Sequence, residues 1–135
     1  MTNPNAYDQR IIAEFRARGG PAPGSHVLLL TTTGAKSGLQ RTTPVSYLRD
    51  GERYIITSSH GGAPTHSAWF HNLLATPQTT IEVGSETLPV TAVVLTGAER
   101  DQWFAALAAQ VPAFADFQAK TTRRFPMVAL EPQQH

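Results

Sequence analysis

Val27–Ser58, VLLLTTTGAKSGLQRTTPVSYLRDGERYIITS, is the stretch whose reading decides the fold. Val27 to Thr33 is rich in leucine and β-branched residues and reads as a buried strand. GAKSG follows as a loop. Thr42 to Arg49 and Arg53 to Ser58 read as two further strands, and Asp50-Gly51 between them is a hairpin signal. Three strands in tight succession, with no helix between them, argue for an antiparallel sheet and against a doubly wound parallel one.

Outside this stretch the same pattern continues. Thr79 to Val83 and Glu86 to Leu95 alternate around Gly84-Ser85, a second hairpin, and Pro126 to Leu130 reads as a final short strand. Residues 6 to 18 read as a helix with Ile11, Ile12 and Phe15 on one side, ended by the glycines and prolines of GGPAPG. Ser67 to Leu74 reads as a short helix carrying Trp69, Phe70, Leu73 and Leu74 on one side. Thr96 to Glu99 has the spacing of a capping box, so a helix is expected from there to about Gln110, with Pro112 breaking it and another turn or two over Ala113 to Lys120. The expectation is a mainly β chain of about six mostly antiparallel strands, a small barrel with flanking helices, in one domain over residues 1 to 135.

The 135 residues fit a single core. Hydrophobic residues make up 41% and charged residues 16%, an ordinary globular balance. A formal charge of +1 gives no global attraction to nucleic acid or acidic membrane, so any anion binding must be local. The absence of Cys excludes disulfides and thiolate metal sites. The polar start MTNPNAYDQR and the lack of a long apolar run lead to the expectation of a cytoplasmic protein without stable membrane insertion.

Three segments are candidates for chemistry. In Thr31 to Pro44 a strand runs into a loop with two glycines, where backbone N–H groups can approach an anion closely. Lys36 supplies a point charge, Ser37 a hydroxyl and Arg41 a planar fork suited to phosphate oxygens. Taken alone, these residues fit a phosphate site or an ordinary basic surface turn. Neither a Walker A loop nor a dinucleotide fingerprint is present. In Thr57 to Asn72, Ser58 and Ser59 can hydrogen-bond a ligand, and the helix start at Ser67 to Phe70 can present free N–H groups. The GxSxG elbow of a nucleophilic serine is missing. His66 and His71 are five apart and do not share a helix face, so no metal is expected; His60 sits in the glycine turn, where it can face an anion. Val111 to Arg124 places Phe114 and Phe117 three apart, either as core packing or as an apolar pocket wall.

The order LLLTTTGAKSG, RTTP, YLRDGERYIITSS, GGAP, AWFHNLLATP, GAERD and FPMVALEP resembles the deazaflavin-dependent nitroreductase family, from about Val27 to Pro132. The resemblance implies a split β-barrel of the FMN-binding type and coenzyme F420 as hydride carrier. It places Ala35, Lys36, Ser37 and Arg41 around the coenzyme phosphate. Thr42, Thr43, Pro44, Val45, Ser46, Thr57, Ser58, Ser59 and His60 then fall along the coenzyme, and Ala68, Trp69, Phe70, His71 and Asn72 match a second contact segment. At His60 the family often has Lys. Where relatives acting on bulky nitro compounds carry tyrosines, this chain has Ser46, Val111, Phe114 and Phe117. The last three are therefore expected to form the substrate wall, with Ser59 as hydrogen-bond donor to the substrate oxygen. The expected reaction is hydride transfer to a small electrophile: an enone, a quinone or a nitro compound. An FMN enzyme on the same barrel, and a non-catalytic F420 carrier, are the alternatives. A small-molecule acceptor is the expected partner, nucleic acid is not, and an oligomer is compatible with the chain.

Overall fold

The computed structural model describes residues 6–21, 26–58, 67–121 and 124–133. Helix α1 (Ala6–Arg18) leads into strands β1 (Val27–Thr33), β2 (Gln40–Ser46), β3 (Leu48–Asp50) and β4 (Arg53–Thr57). Then come α2 (Ala68–Ala75), β5 (Gln78–Val83), β6 (Glu86–Leu95), α3 (Gly97–Gln110), α4 (Ala113–Ala119) and β7 (Met127–Pro132). All seven strands form one antiparallel sheet in the order β2-β1-β5-β6-β7-β4-β3. The expected mainly β architecture of about six strands is what forms, with seven strands among the described residues because the run read as one strand over Thr42 to Arg49 divides at Tyr47. Up to Ser46 it pairs with β1; from Leu48 it pairs with β4. β2 and β3 are the two edges of the sheet, yet one residue separates them in the chain. The sheet therefore curls until its edges adjoin, as a split barrel does.

Local chemistry accounts for these elements. Gly51 and Gly84 take φ +59° in the two hairpin turns, a conformation that glycine adopts without steric cost. Pro44 lacks a backbone donor and stands on an edge strand, where a proline costs least. α1 ends where the N–H groups of Gly19 and Gly20 both donate to Phe15 O at 2.9 Å. α3 starts after Thr96 as the sequence predicts, but the capping box is not made: Thr96 forms no side-chain cap bond, and Glu99 accepts from Arg53 at 3.1 Å instead.

Strand alternation gives the sheet two faces. The inner face carries Leu28, Leu30, Tyr54, Ile56, Ile81, Val90, Val128 and Leu130, and Trp69, Phe70 and Leu73 of α2 pack into it. On the outer face, Ile55, Leu95, Met127 and Ala129 pack against Leu107 of α3, while Leu29 packs against Ile12 and Phe15 of α1. The apolar side expected for α2 needs one correction. Leu74 is exposed, and Asn72 is buried in its place. Among the described residues, no helix is long and apolar enough to cross a membrane.

Candidate functional site

The β1–β2 connection is held by its own backbone. Gly34 N–H donates to Leu39 O at 2.8 Å, and Gly38 N–H donates to Gly34 O at 2.9 Å. Leu39 N–H donates to Ser37 Oγ at 3.2 Å. A Cβ on Gly34 would collide with Ser37 Oγ and stand 3.2 Å from Leu39 O, so this position must stay small. From outside the loop, the buried Asn72 of α2 reaches in. Its Oδ1 accepts from Ala35 N–H at 2.9 Å, and its Nδ2 donates to Thr32 Oγ1 at 3.0 Å.

Lys36 and Arg41 line one cavity of about 630 Å³ together with Gly34, Ala35, Ser37, Ala68, His71 and Asn72. Among the described residues, no carboxylate lines it. Lys36 and Arg41 meet no acidic partner among the described residues. By contrast, Arg16 pairs with Glu82 at 2.8 Å, Arg53 with Asp50 and Glu99, and Arg124 with Asp101. Two cations without counterions among the described residues, beside a glycine loop, are chemically suited to an anion, which would gain charge-assisted hydrogen bonds there without displacing a protein carboxylate. A second cavity of about 390 Å³ lies between α1 and β2, lined in part by Asp8, Glu14, Arg18 and Ser46. Its two carboxylates disfavour an anion. Burial pushes the Asp8 carboxyl above its usual range.

The structure sorts the residues expected at the site. Ala35, Lys36, Ser37, Arg41, Ala68, His71 and Asn72 converge on the larger cavity. Thr42 to Ser46 do not act as one surface. Thr43 and Val45 stand opposite Leu30 and Leu28, on the inner face with Arg41, whereas Thr42, Pro44 and Ser46 turn outward. The Thr42 and Thr31 hydroxyls bond each other at 2.9 Å. Trp69 and Phe70 face the interior, with ring centroids 6.4 Å apart. The Thr57 hydroxyl donates to Pro126 O at 2.9 Å, and Ser58 Oγ accepts from Ser67 N–H at 2.9 Å, both in buried surroundings. Ser59, His60, the GGAP turn and His66 lie outside the described residues.

Val111, Phe114 and Phe117 do not line the cavity of Lys36 and Arg41. Phe114 packs on the outer-face cluster beneath α3. Its ring lies 6.2 Å from that of Phe117, over which the Lys120 ammonium sits at 5.6 Å. Val111 closes α3 by donating its N–H to Leu107 O at 2.8 Å. Sequence reasoning noted the loop glycines without singling out Gly34, and passed over Thr32. The glycine at the head of GAKSG was a signal for the first; nothing local marks Thr32, whose role depends on a residue forty positions away. Among the described residues, no three His, Cys, Asp or Glu side chains converge as a metal site.

Comparison with known proteins identifies the family. The F420H(2)-dependent quinone reductase family model matches residues 7–132. An F420H(2)-dependent quinone reductase of Mycobacterium tuberculosis (strain ATCC 25618 / H37Rv) is 39% identical over 106 residues, 76% of this chain and 71% of the relative. Among solved structures, an F420-H2-dependent reductase (FDR-A) superposes with a TM-score of 0.72 at 36% identity, covering 78% of this chain and 94% of that one. A domain-swapped dimer superposes at 0.75 with 34% identity, covering 91% and 92%. With a family match across nearly its whole length and a split-barrel sheet, this chain belongs to the F420H(2)-dependent quinone reductase family.

Proposed function

We propose that this F420H2-dependent reductase holds the coenzyme phosphate in the cavity of Lys36 and Arg41 and reduces a small quinone. The observation that carries the reading is the pair of cations without acidic partners among the described residues, lining one cavity to which no described carboxylate contributes, beside a glycine loop. The residues present fit the coenzyme's phosphate. Lys36 offers a point charge and Arg41 a planar fork of donors.

When bound, the reduced deazaflavin supplies the hydride, and the protein supplies binding and orientation. Lys36 and Arg41 anchor the phosphate end. Ala68 and His71, exposed on α2, form the facing wall. Charge develops on the acceptor oxygen during reduction, so a hydrogen-bond donor belongs beside it. Ser59 is proposed for that task, with Val111, Phe114 and Phe117 as the apolar wall of the acceptor site. The similarity to a quinone reductase favours quinones over enones and nitro compounds as the acceptor class.

The test is a pair of binding titrations, F420 and FMN, followed by turnover of F420H2 with a small quinone, a cyclic enone and a nitroimidazole. Tighter binding of F420 and the highest kcat/KM for the quinone are expected. FMN binding as tightly as F420 overturns the coenzyme assignment. A higher kcat/KM for the nitroimidazole or enone overturns the acceptor class and leaves the coenzyme site standing.

A further inference from the structure

Resting on the phosphate site proposed above, we propose that Asn72 is a positioning residue that decides which backbone N–H groups of the β1–β2 loop face the coenzyme phosphate. The loop from Gly34 to Leu39 carries six backbone donors, and four of them are already engaged. Gly34 N–H bonds Leu39 O, and Gly38 N–H bonds Gly34 O. Leu39 N–H bonds Ser37 Oγ, and Ala35 N–H bonds Asn72 Oδ1. Lys36 and Ser37 N–H meet no acceptor among the described residues. Both residues are exposed and line the cavity that Arg41 also lines. Two adjacent N–H groups without acceptors, in a loop whose cavity Lys36 and Arg41 also line, are a donor set suited to an anion.

Asn72 produces this division. Its side chain is 7% exposed, and its orientation is fixed by chemistry: Ala35 N–H can only donate, so the atom facing it must be the carbonyl oxygen. The amide nitrogen is then left to donate to Thr32 Oγ1, on the strand that feeds the loop. One side chain thereby clamps α2 to both the end of β1 and the start of the turn. It engages Ala35 N–H and leaves the next two donors without an acceptor among the described residues. Asn72 lines the cavity too, but each end of its amide already makes a bond within the protein, and its assigned role is therefore through the loop.

The first measurement uses the unaltered protein. In an amide 1H–15N spectrum titrated with F420, the Lys36 and Ser37 amide protons move downfield as they gain an acceptor, while Ala35 stays in place. Movement of Ala35 comparable to the other two overturns the assignment. The second uses variants. Asn72→Leu, close in volume, leaves Ala35 N–H unpaired and raises the Kd for F420 about ten-fold, with kcat at saturating coenzyme held within two-fold. Thr32→Val removes one of the two anchors and gives a smaller rise. Asn72→Asp keeps the acceptor for Ala35 but adds a charge, so its affinity falls with a weaker salt dependence than that of wild type. A merely structural Asn72 would lower Tm and the active fraction without changing Kd for the folded molecules, and a direct contact to the reacting ring would lower kcat; either result overturns the proposal. If Lys36→Ala and Arg41→Ala both bind F420 as wild type does, the phosphate site itself is wrong. If they weaken and Asn72→Leu does not, only the positioning role falls.

Discussion

Ser46 and Leu48 are two residues apart in the chain and stand on opposite edges of one seven-stranded sheet. Their Cα atoms can be separated by no more than roughly 7.6 Å across two peptide units. The two edges therefore meet at Tyr47, and the whole sheet curls to allow it. Tyr47 N–H donates to His26 O at 3.0 Å, and its ring meets Tyr54 edge-on with centroids 5.4 Å apart. At this corner Tyr47 packs against the inner-face cluster that α2 also joins, and α2 in turn carries His71 and Asn72 to the cavity that Lys36 and Arg41 line.

Burial holds the Tyr47 phenol above its ordinary range, with Tyr54 adding to the shift and Arg49 opposing it. An acid whose pKa is raised by folding keeps its proton after the unfolded chain has lost it. The unfolded state is then favoured as pH rises from the ordinary tyrosine range, near ~10, through the higher folded value. Tyr47 therefore contributes a loss of stability on the alkaline side and none below it. Thermal unfolding from pH 8 upward should show a shallower fall of Tm for Tyr47→Phe than for wild type. Identical slopes would show that the phenol titrates alike in both states.

The corner also marks where sequence reading stops. α1 over residues 6 to 18, both hairpins and the start of α3 were legible, because each is written in local chemistry: apolar spacing, Asp-Gly, Gly-Ser, a Thr before the helix. The break at Tyr47 was not, since a change of strand partner leaves no mark in an uninterrupted β pattern. Glu99 had the right spacing for a capping box, but Arg53, forty-six residues away, offers it a charged partner. At the site, Lys36 and Arg41 were legible as charge beside glycine. The exchange of Leu74 for Asn72 on the buried side of α2 was not, because a polar side chain is buried only where partners await it, and those partners sit on β1 and its loop.

Lys36 and Arg41 should each hold the coenzyme phosphate by a charge-assisted contact. Such a contact contributes on the order of 1.5–3 kcal/mol, so removing one partner weakens binding roughly ten- to over a hundred-fold. Lys36→Ala and Arg41→Ala should both raise the Kd for F420. Because the site is open to solvent, added salt should weaken wild type as well. Titration by coenzyme fluorescence at two ionic strengths checks both statements. Unchanged affinity in both variants would move the phosphate elsewhere.

Gly34→Ala tests how tightly the loop is drawn. The new Cβ meets Ser37 Oγ, which can rotate away, and the Leu39 carbonyl, which cannot move without loosening the bond it accepts from Gly34 N–H. Overpacking of this kind costs about 1–3 kcal/mol. Chemical denaturation should show that loss, with a parallel rise in the Kd for F420. Adding Ser37→Ala should recover only the part due to the hydroxyl. Full recovery in the double variant would show that the Leu39 contact relaxes freely.

Phe114 and Phe117 separate packing from acceptor recognition. Phe114 sits on the outer-face cluster, half-buried against residues of α3, so Phe114→Ala should cost roughly 2–4 kcal/mol, somewhat less than a fully buried aromatic. Phe117 touches that ring by its edge and carries the Lys120 ammonium over its face, so Phe117→Tyr should leave stability almost unchanged. If the pair also borders the acceptor, as proposed, an added phenol changes which acceptors are preferred. An apolar wall gains little from polar substituents, whereas a hydroxyl placed to bond one discriminates sharply. The ratio of kcat/KM for a nitroimidazole over a small quinone should therefore rise in Phe117→Tyr, and rise further when Phe114→Tyr is added. The measurement is that ratio in wild type, the single variant and the double variant, set beside Tm for each. A ratio that stays constant while Phe114→Ala still loses stability assigns both rings to packing and moves the acceptor away from α4.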